Sequence, residues 1–461
     1  HWDGYARRAR IVAGTGNALL REAVNAFGGQ YSVRYGSIAF DQSIERIHMV
    51  DAADRAAVAQ MYRDSELVAL CLPEQAIPSQ APVIAQGLAS RLADSGRPLT
   101  VLVVLNKVGA AAFVRQQVAE ALRQQLGASQ ARRALAQTEF VETVVTRIVS
   151  KLTDEALLRQ LRIKRDLYER NVATLRENAP AQGTATLATA VSQEQARTLA
   201  PIVSTLRHAG MPAGALAPLH LVLFNSETDM PLYAQAGSPL LAQLRQVETV
   251  PDIRQIQLLK NRLWNGTHAI IGWQAALLGH PAIGHAMGDE RVTALMERLL
   301  TQELAPAFGR LHPELTARLP RFIDTFRARC ASAFKDPCTR VGRDPLRKLQ
   351  RSERVVGSLV MTQQAGVPAP ALALGAALGV HYALVAPAEH QDAECQRIRA
   401  LYAQRESLRD VLAWQGDYNG RAYDGLRPDE RAGDAALLAE IERAFEALQS
   451  DSARALAQLL E

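Results

Sequence analysis

The chain has little lysine. Of its fifty-two basic residues only six are lysines, at positions 107, 151, 164, 260, 335 and 348, and the rest are arginines. Where surface lysine is this scarce, each remaining lysine is a stronger candidate for a specific role. Aromatic residues make up 5% of the chain and cysteines number four. Cys71, Cys330, Cys338 and Cys395 form no CxxC pair and show no His/Cys ligand spacing, which excludes a zinc ribbon or a disulfide framework, leaves ordinary reduced thiols and points to no metal. No stretch reaches the roughly 20 uninterrupted apolar residues a membrane-spanning helix needs. The longest candidate, from Val367 to Val385, is broken by Pro368, Pro370 and several glycines. The opening HWDGYARRAR has charge and aromatics where a secretory signal has an apolar core, so a cytoplasmic protein is expected. The net charge is +5, but the arginines are scattered among acids with no aromatic-studded basic stripe, so no nucleic-acid partner is expected.

What is present is a core-forming pattern: 461 residues, 48% of them hydrophobic, enough for two or three domains. ELVALCL (Glu66 to Leu72), LTVLVVLN (Leu99 to Asn106) and TEFVETVVTRIV (Thr138 to Val149) read as strands, with helices predicted at Pro82 to Ala93 and Ala110 to Leu126. Strands apolar on both faces and alternating with helices predict a parallel sheet covered on both sides, a Rossmann-like α/β architecture. Residues 151–217 read as a helical insertion, and His220 to Asn225 as a strand returning to the sheet. Beyond about Pro251 the pattern is almost entirely amphipathic helix. The expected organisation is a Rossmann-like dinucleotide-binding domain over 1–250 and a mainly helical domain over 251–461.

A Rossmann-like sheet predicts a glycine-rich turn after a cofactor-side strand. The nearest match is RIVAGTGNALLREAV, where Gly14, Gly16 and Asn17 follow an apolar run and precede a helix, with Leu19 in place of a third glycine. Two placements stay open, with residues 10–15 as the first strand or as the second after a strand preceding His1. Either way Gly14, Gly16 and Asn17 lie at a cofactor-side strand end, and the choice between NAD and NADP is open.

The segment KNRLWNGTH joins an amine, a carboxamide and an imidazole: Lys260, Asn265 and His268. At about 100° per residue on an α-helix, Asn265 and His268 lie about 140° and 80° round from Lys260, so the three heads can share one face. Further on, Arg340, Arg343, Arg347 and Lys348 form a basic cluster, readable either as a solvated face or as an anion grip. His280 and His285, flanking an Ala/Gly-rich stretch, read as structural.

KNRLWNGTHAIIGWQAALLGH (Lys260 to His280) together with TRVGRDPLRKLQRSERVVG (Thr339 to Gly357) resembles the polyol-specific long-chain dehydrogenases, with weaker likeness through VVLNKVGAAAFV and FVETVVTRIV. The resemblance implies a metal-independent oxidoreductase whose helical domain binds substrate and which moves a hydride between a nicotinamide (NAD, with NADP possible) and a secondary carbinol. By the same correspondence Lys260 is the general base, Asn265 holds the reacting oxygen, and His268 binds a neighbouring hydroxyl. Arg340 and Lys348 match substrate-side basic residues, and Asn106 matches an asparagine near the nicotinamide. One position departs: where the family has Val-Asp-Arg-Ile, this chain reads Val145, Thr146, Arg147, Ile148.

The expected partner is a small sugar or polyol phosphate, with the chain a monomer or small homo-oligomer. The expected reaction interconverts fructose 6-phosphate and mannitol 1-phosphate. The alternatives are a hexuronate (fructuronate or tagaturonate) reductase, a dehydrogenase of unphosphorylated polyols, or a degenerate dehydrogenase retained as a binding or regulatory protein.

Overall fold

The structure, a computed structural model, describes residues 10–35, 40–94, 96–105, 107–146, 149–163, 221–226, 231–331, 336–386 and 391–450. Most of the expected insertion, and Asn106, lie outside these residues. The chain divides into two compact units, His1–Ile253 and Arg254–Glu461.

The first unit holds eleven described strands. β1 (Ile11–Thr15) precedes a hairpin of β2 (Tyr31–Tyr35) and β3 (Phe40–Ile44), after which β4 (Ile47–Asp51) returns to pair with β1 in parallel. β5 (Leu67–Leu70), β6 (Leu99–Val103) and β7 (Thr138–Val145) follow in mutually parallel order. β8 (Val149–Lys151) and β9 (Val222–Ser226) come next, then β10 (Leu232–Gln235) and β11 (Val247–Val250). The main sheet runs β11-β10-β7-β6-β5, with β10 antiparallel to β7. Helices Ile77–Asp94 and Ala110–Ala136 cover it and bury Ile77, Ile84, Leu88, Val114 and Leu122 against Leu99, Val101 and Val103. Every residue of β6 is buried, as a central parallel strand requires. The first of these helices starts five residues before the expected Pro82, and the second runs past Leu126 through a non-helical Gly127 (φ 76°).

Two expectations are corrected. The strand expected to end at Val149 stops at Val145. Val149 begins β8, which pairs with β9 in a separate sheet ordered β3-β2-β9-β8. The strand read at His220 to Asn225 therefore joins that second sheet rather than returning to the first. Its apolar residues Leu221 and Leu223 pack with Leu157, Leu161, Val24 and Phe27 in a core of their own, and apolarity alone could not say which sheet would bury them.

Among the described residues the second unit is helical except for one hairpin, β12 (Gln415–Tyr418) with β13 (Arg421–Asp424), which the sequence does not announce. Its centre is the helix Pro370–Val385, apolar all round and buried along nearly its whole length. This is the longest apolar run of the sequence, and it serves as a core helix. Among the described residues no helix is long and apolar enough to cross a membrane. Its N-terminus is capped by the buried Glu303, whose carboxylate accepts the Ala371 and Leu372 amides at 2.7 and 2.8 Å. At Gly379 a Cβ would lie 2.7 Å from the Trp273 ring, so this glycine lets the helix Thr267–Leu277 approach closely.

Candidate active site

Lys260 does not sit in an α-helix. The helix Ile253–Leu259 passes into a π-helical turn, Lys260–Gly266, before α-geometry resumes at Thr267–Leu277. This changes the angular argument. With i→i+5 bonding, the residue five on from Lys260 is about one turn along, so Asn265 moves toward the lysine's face instead of lying about 140° away. The turn is held from outside. Trp264 donates its indole N–H to the Phe322 carbonyl at 2.8 Å and lies against the Phe322 ring, and Arg329 stacks its guanidinium 4.7 Å from the Trp264 ring centroid. Lys260 itself is half-buried. Burial, with Arg329 and Arg354 adding like charge, pushes its ammonium down to about 8.

His268 stands at the start of the following helix with its side chain 19% exposed. Its ring meets Phe326 edge-on at 6.0 Å. Burial pushes the imidazole down to about 4 against the opposing pull of Asp336, and Arg329, Arg340 and Lys348 push it further the same way. The ring is therefore neutral at pH 7. Arg329 thus acts on both Lys260 and His268, which ties the two ends of the segment to one electrostatic environment.

The basic cluster divides by burial. Arg340 is half-exposed but pairs side-on with the buried Asp336, Nε to Oδ1 at 2.6 Å and Nη2 to Oδ2. Lys348 is buried, 5% exposed, and its Nζ donates to the Val341 carbonyl at 2.6 Å and to the Arg343 carbonyl. It also lies 5.6 Å from the Trp273 ring centroid. Burial, with Arg354 and Arg347 nearby, pushes it down to about 7. Arg347 pairs with Asp344 at 3.1 Å and Glu353 at 3.8 Å. Arg343 is exposed, with its Nε 3.3 Å from the Arg340 carbonyl. The helix Thr267–Leu277 approaches the helix Cys338–Gly342 through Gly272, where a Cβ would lie 2.5 Å from Val341, and Trp273 donates to the Gly342 carbonyl at 3.0 Å. Arg340, Lys348 and His268 are so gathered in one region.

In the first unit, Gly14 and Gly16 are exposed at the carboxyl end of β1. The Asn17 side chain caps the helix Ala18–Ala26 by accepting the Leu20 amide at 2.8 Å, so it shapes the turn. A Cβ at Gly16 would meet nothing within 4 Å, leaving the approach to this helix N-terminus clear. β4 lies alongside in parallel with Asp51 opposite Thr15, which puts a carboxylate at the end of the neighbouring strand. Strand, turn, helix and acid together fit a dinucleotide: helix amides for its phosphates and Asp51 for a ribose hydroxyl. Asp51 pairs with Arg21 at 2.5 Å and accepts the Ala53 amide at 2.8 Å, which together hold it below the ordinary carboxylate range. Among the described residues no group of three or more His, Cys, Asp or Glu could hold a metal ion.

Residues 252–421 match the mannitol dehydrogenase C-terminal domain. A mannitol-1-phosphate 5-dehydrogenase of Brevibacillus brevis is 23% identical over 394 residues, covering 83% of this chain and 81% of that protein. The chain is therefore similar to the polyol dehydrogenases, most firmly through that C-terminal domain. The domain match marks it as an oxidoreductase. A second mannitol-1-phosphate 5-dehydrogenase, from Caldanaerobacter subterraneus, is 27% identical over 139 residues, 30% of this chain and only 36% of the relative's length. Two solved structures share the fold: Pseudomonas fluorescens mannitol 2-dehydrogenase in a ternary complex with NAD and D-mannitol (TM-score 0.60, 15% identity, 98% of this chain and 87% of that one), and a substrate-free D-sorbitol dehydrogenase (TM-score 0.64, 16% identity, 98% and 89%).

The departure at Thr146 has a local explanation. Its hydroxyl, buried, donates to the Pro231 carbonyl at 2.9 Å and so ties the end of β7 to the segment entering β10. His280 pairs with Asp289 at 3.1 Å, consistent with the structural reading of that histidine. The sequence reading missed Asp51, Arg329 and Asp336. Asp51 was hidden by the β2–β3 hairpin, which stretches the usual interval between glycine turn and acid. Asp336 carried one signal, its i,i+4 spacing to Arg340.

Proposed function

We propose that the chain is an NAD-dependent dehydrogenase that interconverts a hexitol phosphate and its ketohexose phosphate, mannitol 1-phosphate and fructose 6-phosphate, with Lys260 as general acid/base. The observation that carries this is the lowered Lys260 ammonium, about 8, on a turn that continues into Asn265 and His268. An amine of that strength exchanges protons near neutral pH, whereas an ordinary lysine is too basic. A nicotinamide, when bound, would supply the hydride acceptor. Lys260 takes the carbinol proton as the alcohol is oxidised and returns it when the ketone is reduced. The Asn265 amide N–H donates to the reacting oxygen as charge develops on it, and the neutral His268 ring binds a neighbouring hydroxyl. Asp51 supports NAD through its carboxylate, which suits a ribose diol. The two curated relatives, both named for mannitol 1-phosphate, support the phosphorylated substrate.

A second reading, a dehydrogenase of free hexitols, is favoured by the pairing of the basic cluster. Lys348 is committed to two carbonyls, Arg347 to Asp344 and Glu353, and Arg340 to Asp336, so much of the positive charge is already neutralised. Turnover of purified protein with NADH or NADPH and fructose 6-phosphate, fructose or fructuronate decides. The proposal expects NADH-dependent reduction of fructose 6-phosphate at the highest kcat/KM. Preference for fructose would replace it with the second reading, preference for fructuronate would make the chain a hexuronate reductase, and no nicotinamide binding by fluorescence would leave only a binding protein.

A further inference from the structure

Asp336 is absent from every role given so far, yet two of the substrate-side groups converge on it. Its side chain is 5% exposed. The segment carrying it is fixed by a β-bridge between Ala282 and Pro337, by the Ile283 amide donating to the Asp336 carbonyl at 3.0 Å, and by the Cys338 amide donating to the Pro281 carbonyl at 3.0 Å. One carboxylate oxygen takes Arg340 Nε at 2.6 Å. The other takes Arg340 Nη2 and stands 3.9 Å from His268 Nε2.

We propose that Asp336 is the positioning residue of the substrate side, one buried carboxylate that fixes the plane of the Arg340 guanidinium and, through its charge, biases the tautomer of the His268 ring. The proposal rests on the polyol dehydrogenase reading and deepens it. A side-on pair through Nε and Nη2 locks the guanidinium in plane while leaving the Nη1 edge for a substrate oxygen. At 3.9 Å from Nε2 the carboxylate is beyond hydrogen-bonding distance, but its charge favours the proton on that nitrogen, so Nδ1 becomes the acceptor for a substrate hydroxyl. Asp336 touches no substrate and acts only through these two side chains. Because a buried carboxylate is tied to a rigid bridge, it brings order to an arginine whose side chain is otherwise 51% exposed.

The test is steady-state kinetics of Asp336→Asn in the full chain, beside a double variant, His268→Ala with Arg340→Gln, and the triple variant combining all three. With whichever polyol or ketose the wild type turns over, Asp336→Asn is expected to raise KM about tenfold or more and to change kcat by less than about threefold, while thermal unfolding shifts little. Added to the double variant, Asp336→Asn is expected to change kcat/KM by less than about twofold, because its targets are gone. An unchanged KM in Asp336→Asn, or a full additional loss in the triple variant, overturns the proposal. If Asp336→Asn does not fold, Arg340→Lys reports instead: it keeps the charge but loses the side-on pair, and a KM within about twofold of wild type overturns the proposal. A wild type inactive on every polyol and ketose removes the underlying reading and the proposal with it, whereas an active wild type with an indifferent Asp336→Asn removes the proposal alone.

Discussion

Two lysines of the second unit, Lys260 and Lys348, are pushed in the same direction by the same cause but sit on different local structures. Burial lowers the first to about 8 and the second to about 7. Lys348 points its ammonium into the Val341 and Arg343 carbonyls and lies against Trp273, so its donors are engaged inside the protein, and the carbonyls favour the charged form that burial disfavours. Lys260 lies on a π-helical turn that brings an amide five residues on toward its own face and leads into a neutral histidine. A lowered lysine pKa alone therefore does not identify a base. What the amine faces decides between a structural clasp and a proton acceptor.

The largest expected effect comes from removing the amine proposed to react. Lys260→Ala is expected to lower kcat by at least about a hundredfold, with NADH affinity by fluorescence titration nearly unchanged. Turnover near wild type in that variant would erase the distinction between the two lysines. Lys348→Met tests the other side. It leaves two buried carbonyls without their donor, so chemical denaturation is expected to show a loss of about 1–3 kcal/mol, with kcat lowered by less than about tenfold. A loss of turnover as deep as in Lys260→Ala, with stability intact, would place Lys348 in the chemistry instead.

How much of this was legible beforehand follows from the kind of signal each element carries. The parallel core β5-β6-β7 was readable because strands buried on both faces show as continuous apolar runs with helices between them. The helical second unit was readable from its amphipathic periodicity. The assignment of β8 and β9 to a second sheet was not, because pairing partners are chosen by tertiary contact and Val149 looks like a continuation of β7. In the site, Lys260, Asn265 and His268 stood out by residue type and spacing. The π-turn beneath them did not, since nothing in KNRLWNG announces i→i+5 bonding. Arg329 and Asp336 escaped because their meaning is spatial: each gains a role only when other helices bring it beside Trp264 or His268.

The central claim, that Lys260 is the proton acceptor, is tested most directly by the pH dependence of kcat/KM in both directions. Alcohol oxidation needs the free amine and ketone reduction the ammonium. The oxidation profile is therefore expected to rise through an apparent pKa near 8 and the reduction profile to fall through the same value. Profiles without a transition between about pH 7 and 9, or an oxidation rate that falls as pH rises through that window, would contradict the assignment.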